Sequence, residues 1–489
     1  MKLEQLLACV DPTAVAGACR GEVRGVVCDS RQVREGYVFV AIPGHHQDGW
    51  LFADDAARRG ARALVSQHPP NGSPDICRVQ VSDARCAAAE LAAAFHGHPA
   101  DKLQVIGITG TNGKTTTAFM TRAVLQGNGR HTGLVSTVAY EIGMREIPAV
   151  RTTPEAPALQ AMLAEMVSAG CRCAVMEVSS HALDQQRTAG IDFDVAVFTN
   201  LTLDHLDYHT DMEQYFAAKS RLFTGLAEQR KAGTAVVNRD DPWGRRLLAT
   251  AAAGGSVLTY GLEGTADVRA AEISLAQDGS TFTAHTPWGT VEVRLDLLGR
   301  YNISNALAAL AAAGALGVDP AAAAASLAGM QRVPGRLEVV PTGRGFQVFV
   351  DYAHTDDALQ HVLTTLREIA PRRLLVVFGC GGSRDAGKRP RMGAVAARLA
   401  DYSVLTSDNP RKEAPGEIIA QVREGFADGG DYEVSEDRRA AIGKALAMAE
   451  PGDIVLIAGK GHETFQEFAD KTVMFDDRQV VREMLAELV

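Results

Sequence analysis

Residues 103–117 read Leu-Gln-Val-Ile-Gly-Ile-Thr-Gly-Thr-Asn-Gly-Lys-Thr-Thr-Thr. A buried strand that runs into a glycine-rich turn and then into a helix is the layout of a phosphate-binding loop. Lys114 would reach the β- and γ-phosphates of a nucleoside triphosphate, and the Thr115 hydroxyl would bind Mg²⁺. Position 108, where this pattern has glycine, is isoleucine. We expect a nucleoside triphosphate site here, and the alternative is a turn that only links strand to helix.

The composition of the 489 residues is that of an ordinary globular protein, with 46% hydrophobic and 22% charged residues. The length suggests roughly three domains. A net charge of −10 argues against nucleic-acid binding as the main function. The sequence contains neither an apolar run of the roughly 20 residues that a membrane span needs nor a signal peptide. We expect a cytoplasmic protein that is a monomer, without a nucleic-acid partner or a membrane span.

The eight cysteines have no repeated spacing. Cys171 and Cys173 are the one close pair, and a second pair that would complete a zinc site is missing. We therefore expect all eight cysteines to be reduced thiols.

The pattern along the chain predicts an α/β protein with three domains: a small N-terminal α/β domain at 1–98, a central P-loop ATPase-type parallel sheet at 99–334, and a C-terminal domain at 335–489. An alanine-rich helical region is expected at 305–329. Beyond residue 335, strands and helices alternate regularly, which predicts a Rossmann-like doubly wound sheet.

Polar residues follow the predicted strands, at the sheet edge where α/β proteins bind ligands. The C-terminal domain has four such loops, at 351–354, 379–382, 407–411 and 459–463. In the central domain, Glu177 and His205 follow two strands on the same edge as the phosphate loop. They are candidate ligands of a metal near the γ-phosphate. For each, the alternative is surface solvation or a hydrogen bond in the core.

The motifs resemble, in order and over most of the chain, those of the Mur ligases, which build the peptidoglycan stem peptide. The resemblance is carried by residues 110–115, 177–181, 200–209, 301–306, 334–338 and 351–354. It implies an ATP-dependent ligase that converts a carboxylate to an acyl phosphate, which an amine then attacks. It also implies that ATP and Mg²⁺ are bound.

The resemblance also implies roles for single residues. The ATP contacts that it implies are Gly110, Thr111, Asn112, Gly113, Lys114, Thr115, Thr116, Asn302, Asn305, Arg336 and Asp351. The catalytic residues would be Lys114, Glu177, His205 and Lys219, and the metal ligands Thr115, Glu177, His205 and Lys219. By itself Lys219 would be a helix-surface lysine, but in the family the matching lysine is carbamylated and so becomes a carboxylate-like metal ligand.

Within the family, the chain is most similar to the enzymes that add the third amino acid, here meso-2,6-diaminopimelate, to UDP-N-acetylmuramoyl-L-alanyl-D-glutamate. The implied contacts to this UDP-muramoyl dipeptide are Cys28, Ser30, His45, His46, Gln47, Thr152, Thr153, Ser179, Gln185 and Arg187. The implied contacts to diaminopimelate are Arg384, Asp408, Asn409, Pro410, Arg411, Gly459 and Glu463.

The sequence Asp408-Asn409-Pro410-Arg411 is the signature of the diaminopimelate-using enzymes, since lysine-adding members lack this arginine. Arg411 can bind the distal carboxylate of diaminopimelate in a bidentate manner, and lysine has no carboxylate there. Glu463 has the charge to hold the distal ammonium group. The alternative is that 408–411 form only a turn with a surface arginine, because Asn-Pro favours turns.

Two positions depart from the family pattern, and two alternative functions stay open. Arg151 stands where the family often has asparagine, which puts one substrate contact in doubt, and Asp356 stands where proline is usual. One alternative is a sister ligase, such as the lysine-adding, dipeptide-adding or folylpolyglutamate-type enzymes. The other is a P-loop kinase or nucleotide switch, which would not need a third domain with four polar strand-end loops.

Overall fold

Three large β-sheets and one two-stranded sheet are formed by the described residues in the computed structural model of this protein. The structure describes residues 1–44, 47–71, 75–276, 278–330, 332–369 and 371–487. The predicted substrate residues His45 and His46 lie outside these ranges.

The first sheet has five strands in the order β1-β5-β4-β3-β2, all parallel except the β1–β5 pair. The helix that ends this region begins where Asp83 accepts hydrogen bonds from the N–H groups of Arg85 and Cys86, a standard N-cap. The elements are α1 (Leu3–Leu7), β1 (Pro12–Ala16), β2 (Gly25–Val27), β3 (Tyr37–Val40), α2 (Ala53–Arg58), β4 (Ala63–Ser66), β5 (Cys77–Val81) and α3 (Ala84–Phe95).

The expectation that all cysteines are reduced thiols is wrong for one pair. Cys19 and Cys77 form a disulfide, which ties the segment after β1 to the first residue of β5. These cysteines are 58 residues apart, and no sequence spacing indicates which partner a cysteine will meet in the fold. The other six cysteines are free thiols, and three of them, Cys171, Cys173 and Cys380, are buried.

The second sheet has eleven strands in the order β16-β15-β14-β13-β12-β11-β6-β10-β7-β8-β9. Its middle strands, from β14 to β7, are parallel, and antiparallel strands extend it at both edges. The strands are β6 (Gln104–Thr109), β7 (Thr132–Val135), β8 (Ala139–Ile142), β9 (Arg145–Pro148), β10 (Cys173–Glu177), β11 (Val195–Phe198), β12 (Thr234–Asn238), β13 (Ser256–Gly261), β14 (Val268–Ala276), β15 (Gly279–Thr286) and β16 (Gly289–Leu295).

The helices of the second region cover this sheet. They are α4 (Lys114–Gly127), α5 (Ala156–Ser168), α6 (Ser180–Asp184), α7 (Met212–Glu228), α8 (Pro242–Ala253), α9 (Arg300–Ala315) and α10 (Pro320–Ala328). The alanine-rich region expected at 305–329 is two helices rather than one. Gly317, at φ +79°, ends the first, and Asp319 caps the second with Pro320 in its first turn.

The register of the central strands gathers the functional loops at one edge. Glu177, the last residue of β10, pairs with Ile108 of β6, and Phe198, the last residue of β11, pairs with Thr109. The loops that follow β6, β10 and β11 therefore leave the sheet side by side. This is the arrangement expected from buried parallel strands.

The third sheet has six strands in the order β17-β18-β22-β19-β20-β21, parallel except for the β17–β18 pair. Helices lie on both faces, which confirms the doubly wound sheet. A two-stranded hairpin, β23–β24, follows it. The elements are β17 (Glu338–Val340), β18 (Gln347–Asp351), α11 (Asp356–Glu368), β19 (Leu374–Phe378), α12 (Lys388–Leu399), β20 (Tyr402–Leu405), α13 (Pro415–Arg423), β21 (Tyr432–Val434), α14 (Arg438–Met448), β22 (Ile454–Ala458), β23 (Phe465–Glu467), β24 (Thr472–Met474) and α15 (Asp477–Glu487).

The predicted α/β fold class is therefore confirmed. Across the residues that the structure describes, every helix is too short or too polar to cross a membrane.

Candidate functional site

The phosphate loop lies between β6 and α4 and depends on two of its glycines. Gly110 has φ +149° and Gly113 has φ +85°, conformations that residues other than glycine rarely adopt. A Cβ at Gly113 would lie 2.4 Å from Asn305 Oδ1, and a Cβ at Gly110 would lie 1.8 Å from Thr199 Oγ1. Both positions therefore exclude other residues through backbone conformation and through space.

Lys114 folds back over this loop. Its Nζ donates to the carbonyl oxygens of Gly110 at 2.9 Å and Thr111 at 2.8 Å. Burial lowers the pKa of Lys114, and the nearby carboxylates of Glu177 and Asp204 oppose that shift. The amine is thus held at the mouth of the loop by local contacts.

Glu177 is fully buried and is the centre of a hydrogen-bond network. Its Oε2 accepts from the hydroxyls of Thr115 at 3.1 Å and Thr137 at 3.2 Å, and its Oε1 accepts from the Thr137 N–H at 2.8 Å. Glu177 and Thr115, two predicted metal ligands, are therefore in contact. Sequence reasoning missed Thr137, which follows β7 in a loop with no recognisable motif.

Lys219 is buried, with 1% of its surface exposed, and is not the surface lysine that its helix would suggest by itself. Its Nζ donates to Gly110 O at 2.8 Å and lies 4.5 Å from the centre of the Tyr215 ring. Burial, and next the positive charge of Lys114, lowers the pKa of Lys219 well below its usual value. A neutral amine is the form that can react with CO₂.

His205 lies in a cluster of aromatic side chains beside these residues. Its ring centre is 4.9 Å from that of His181, and its Nε2 is 3.4 Å from Asp204 Oδ2. Burial lowers the pKa of His205 to about 3, against the opposing effect of Asp204, so the ring is neutral at physiological pH. The residue has φ +57°, a left-handed conformation that is uncommon outside glycine.

The residues predicted to bind Mg²⁺ differ in the chemical type of their ligand atoms. Within the described ranges, no three His, Cys, Asp or Glu side chains are grouped closely enough to hold a metal. The predicted set has one carboxylate, one imidazole and one hydroxyl, from Glu177, His205 and Thr115. A carbamate on Lys219 would add a second anionic oxygen donor, and with it the set matches the oxygen-rich coordination that Mg²⁺ prefers.

A cleft of about 770 Å³ begins at the phosphate loop and extends between the central and C-terminal sheets. The predicted residues Asn112, Gly113, Thr115, Thr116, Asn302, Asn305, Arg336 and Asp351 line it. Asp351 Oδ1 and Oδ2 accept from the N–H groups of Ala353 at 2.8 Å and Leu337 at 2.7 Å. Burial raises the pKa of Asp351, and Arg336 and these N–H groups oppose that effect. The cleft therefore joins residues that lie almost 240 positions apart.

Two residues of the C-terminal region contact the phosphate loop directly. Arg336 Nη2 donates to Thr115 Oγ1 at 3.1 Å. Asp357 Oδ2 accepts from Asn112 Nδ2 at 2.7 Å and from Thr202 Oγ1 at 3.1 Å. Asp357 lies in the first turn of α11 and was not among the predicted site residues.

A second cleft has a volume of about 1380 Å³. Residues predicted for both substrates share its lining: Thr152, Thr153, Ser179, Arg187, Arg384, Asp408, Asn409, Arg411, Gly459 and Glu463. His181, Asp204, His205, His354 and Lys388 also line it. Gln185 contacts it indirectly, because its Oε1 accepts from Arg187 Nη2 at 2.8 Å.

The loop 408–411 forms one wall of the second cleft. Asn409 Nδ2 donates to Glu463 Oε2 at 2.9 Å, and Lys460 Nζ donates to both of these side chains. Asp408 Oδ2 is buried and has no hydrogen-bond partner within the part of the chain that the structure describes. Burial opposes ionisation of Asp408, but Lys460 and Arg438 together hold its pKa below the usual value.

Pro410, which was predicted to contact diaminopimelate, is not among the residues that line this cleft. A Cβ at Gly382 would lie 1.9 Å from Pro410 O, so the two loops 379–382 and 408–411 touch through their main chains. Arg384 is more exposed, and its Nη1 lies 4.0 Å from Asp207 Oδ2.

Cys28, Ser30 and Gln47, the described residues predicted in the first region, are not among the residues that line either cleft. Ser30 is buried, and Gln47 is exposed while its carbonyl accepts from the Gly44 N–H at 3.1 Å. Burial, and next the carboxylate of Glu155, raises the pKa of the Cys28 thiol to about 12. Glu155 pairs with Arg187, which lines the second cleft.

The two departures from the family pattern have structural partners. Arg151 Nη1 pairs with Glu155 Oε1 at 2.6 Å and Arg151 lines the second cleft. Asp356 occupies the first position of α11, where an acidic side chain interacts favourably with the helix dipole, and its Oδ2 accepts from Arg391 Nε at 2.8 Å.

Comparison with known proteins assigns each of the three regions. Residues 22–96 match the family model described as Mur ligase family, catalytic domain, residues 108–313 match Mur ligase middle domain, and residues 335–461 match Mur ligase, glutamate ligase domain.

Curated relatives match over the full length. A protein of Geobacter metallireducens named UDP-N-acetylmuramoyl-L-alanyl-D-glutamate–2,6-diaminopimelate ligase is 45% identical, and the match covers 100% of this chain and 99% of the relative. A protein of Geobacillus thermodenitrificans with the same name is also 45% identical, with 100% of both chains covered. A solved structure described by that enzyme name is 34% identical, with a TM-score of 0.70 and coverage of 100% and 99%.

Proposed function

The chain belongs to the Mur ligase family, and on this premise we propose that it catalyses the ATP-dependent addition of meso-2,6-diaminopimelate to UDP-N-acetylmuramoyl-L-alanyl-D-glutamate. The reaction forms an amide bond and releases ADP and phosphate, and it belongs to peptidoglycan biosynthesis. The full-length relatives named above have the same activity in their names.

One observation carries the proposal. Thr115 lines the cleft at the phosphate loop and donates to Glu177, and Gly110 O of the same loop accepts from both Lys114 and Lys219. His205 lines the cleft that contains Arg411. A nucleotide in the first cleft and two organic substrates in the second would bring a γ-phosphate, a carboxylate and an amine together. This is the geometry that amide formation through an acyl phosphate requires.

We assign the phosphoryl-transfer step to the central residues. Lys114 leaves the carbonyl oxygens of Gly110 and Thr111 to pair with the γ-phosphate, which neutralises charge as the phosphoryl group moves to the dipeptide carboxylate. Asn302, Asn305 and Asp351 hold the nucleoside, and Arg336 lies beside its phosphates. The amine of diaminopimelate then attacks the acyl phosphate, and phosphate leaves.

Mg²⁺ would be held by Thr115, Glu177, His205 and the carbamate of Lys219, and it would supply positive charge at the phosphate oxygens. Thr137 keeps the Glu177 carboxylate oriented through two hydrogen bonds. The lowered pKa of Lys219 supports carbamylation, because the neutral amine is the form that reacts with CO₂. A cationic Lys219 in this position would also repel the metal.

We assign amino-acid selection to the loop 408–411 and its neighbours. Arg411, together with Arg384, binds the distal carboxylate, and Glu463 and Asn409 bind the distal ammonium group. Thr152, Thr153, Ser179, Gln185 and Arg187 hold the peptide end of the UDP-muramoyl dipeptide, and Cys28, Ser30 and Gln47 hold its nucleotide end. On this proposal residues 1–98, 99–334 and 335–489 are three domains that bind the uridine nucleotide, ATP and the amino acid, in a cytoplasmic monomer.

The test is an assay of ADP release by the purified protein. ADP should form at a high rate only when the UDP-muramoyl dipeptide and meso-diaminopimelate are both present, together with ATP and Mg²⁺. Release with one organic substrate alone would indicate a kinase, and release with nucleotide alone would indicate a nucleotide switch. Replacement of meso-diaminopimelate by L-lysine separates the proposal from the lysine-adding alternative.

A further inference from the structure

Glu467 contacts Arg411 from outside the group of residues assigned above. It lies at the end of β23, in the hairpin that packs behind the loop 408–411. Its carboxylate Oε2 accepts from Arg411 Nε at 2.9 Å, and its backbone carbonyl accepts from the Arg411 N–H at 3.0 Å. The side chain of Glu467 therefore holds the side chain of Arg411, and the main chain of Glu467 holds the main chain of Arg411.

The backbone of Arg411 needs this support. Arg411 has φ +53°, a left-handed conformation that is unfavourable for residues other than glycine. Arg411 also forms a parallel bridge with Phe468, the residue after Glu467. The backbone bond and the bridge to the hairpin thus offset part of the cost of this conformation.

The hydrogen bonds of the guanidinium group leave one edge available. Nε points to Glu467, and Nη1 donates to Gly382 O at 3.0 Å. A Cβ at Gly381 would lie 3.0 Å from Nη1, so the group is also confined sterically on that side. Among the described residues Nη2 has no acceptor, and Nη2 and the second N–H of Nη1 form the edge that matches a carboxylate.

The rest of the hairpin is fixed to the same loop. Asn409 Oδ1 accepts from the Glu467 N–H at 3.0 Å, and Gln466 Nε2 donates to Asp408 O at 2.7 Å and Ser407 Oγ at 2.9 Å. The backbone of Glu467 is therefore held in place independently of the contact between its carboxylate and Arg411.

We propose that Glu467 is a positioning residue for amino-acid selection: it orients Arg411 so that the Nη1–Nη2 edge faces the distal carboxylate of the incoming amino acid. The proposal rests on the proposed function, because it presupposes a substrate with that carboxylate. Glu467 does not itself contact the substrate; a carboxylate there would repel the distal carboxylate, and it acts only through Arg411.

The test compares Glu467→Ala with Asp470→Ala, an exposed acidic residue in the turn of the same hairpin. In metal sites, loss of a residue that orients a ligand costs about 10-fold or more, and we expect a similar cost for a residue that orients Arg411. Glu467→Ala should raise the KM for meso-diaminopimelate about 10-fold, with kcat and the KM for ATP near those of the parent. Asp470→Ala should match the parent in all three.

Conservative variants and a second substrate separate positioning from loss of structure. Glu467→Gln keeps an oxygen acceptor for Nε and should restore most of the affinity, whereas the shorter Glu467→Asp should not. The slow reaction with L-lysine, which lacks the distal carboxylate, should be the same in Glu467→Ala and the parent, and a general loss of structure would lower it. Thermal unfolding of each variant accompanies the assay.

Three results would overturn the inference. One is an unchanged KM for meso-diaminopimelate in Glu467→Ala. Another is an equal rise in the KM values for ATP, the dipeptide and the amino acid. Equal use of lysine and diaminopimelate by the parent would remove the proposed function as well, whereas a selective parent with an unaffected variant would remove only the role of Glu467.

Discussion

The phosphate loop at 107–117 and the amino-acid loop at 408–411 both follow parallel strands, but they are held in different ways. In the first, glycines at positive φ shape the turn, and Lys114 bonds to carbonyl groups three and four residues earlier. In the second, Arg411 is held by Gly382, 29 residues earlier, and by Glu467, 56 residues later. A site formed by neighbours in sequence is visible as a motif, whereas a site formed by distant residues is visible only in the fold.

Lys114→Ala, in the phosphate loop, should cause the largest loss of turnover. Removal of a preorganised cation from a phosphoryl-transfer site costs on the order of 10³-fold in kcat. The fold should survive, because burial of the Lys114 amine lowers its pKa and so opposes its charged form in the folded protein. ADP release and circular dichroism measure both points, and near-parent turnover by a folded variant would refute the assignment.

Lys219→Ala should lower turnover by roughly 10²-fold, because it removes an anionic donor near the metal. Short carboxylates added to this variant should restore part of the rate by occupying the position of the carbamate. Intact mass of the parent under CO₂, or a crystal structure, would detect the modification directly. An unmodified Lys219 in the active, metal-loaded enzyme would contradict the prediction.

Arg411→Ala should harm only the amino-acid end of the reaction. Loss of one partner of a charged, hydrogen-bonded pair costs about 2 kcal/mol or more, so kcat/KM for meso-diaminopimelate should fall roughly 30-fold. The KM for ATP should change little, since Arg411 lies in the other cleft. Arg423→Ala, at an arginine of helix α13 outside both clefts, is the control, and an equal loss there would contradict a specific role.

Some features of the fold and the site could be predicted from the sequence, and others could not. The parallel strands, the turn at Gly110 and Gly113, and the loops after β10 and β11 follow from apolar runs and from residues that break them. Thr137 could not be found, because its contact with Glu177 depends on β7 lying beside β10, and strand order is not encoded locally.

Other features could not be predicted for the same reason, because they depend on contacts between distant parts of the chain. Asp357 reads as an ordinary helix-start residue, yet it joins α11 to Asn112, 245 positions earlier. The burial of Lys219 and the pairing of Cys19 with Cys77 also depend on tertiary packing, and the expectation of reduced thiols failed for that reason. The break in the alanine-rich helix at Gly317 was predictable, since Gly-Val-Asp-Pro is a strong stop-and-start signal.

The smallest of the expected effects is a loss of folding stability in acid. His354 should contribute to this loss. Burial, and next the charge of Lys388, lowers the pKa of His354 to about 4, against the opposing effect of Asp204. The unfolded chain, with a histidine pKa near ~6.5, then binds more protons than the folded chain below that pH. The free energy of unfolding should therefore decrease as pH falls from about 6.5 to about 4. Urea unfolding should show a shallower decrease for His354→Gln, and an identical slope would contradict this.

The central claim is that Arg411 and the residues around it select an amino acid with a distal carboxylate. The most direct measurement is kcat/KM for meso-diaminopimelate and for L-lysine, with the unmutated protein, the UDP-muramoyl dipeptide and saturating ATP. An unpaired arginine in the lysine complex should cost a few kcal/mol, which predicts a preference for diaminopimelate of roughly 10²- to 10⁴-fold. Comparable kcat/KM values for the two amino acids would contradict the claim and leave Asp408-Asn409-Pro410-Arg411 as a turn without a role in selection.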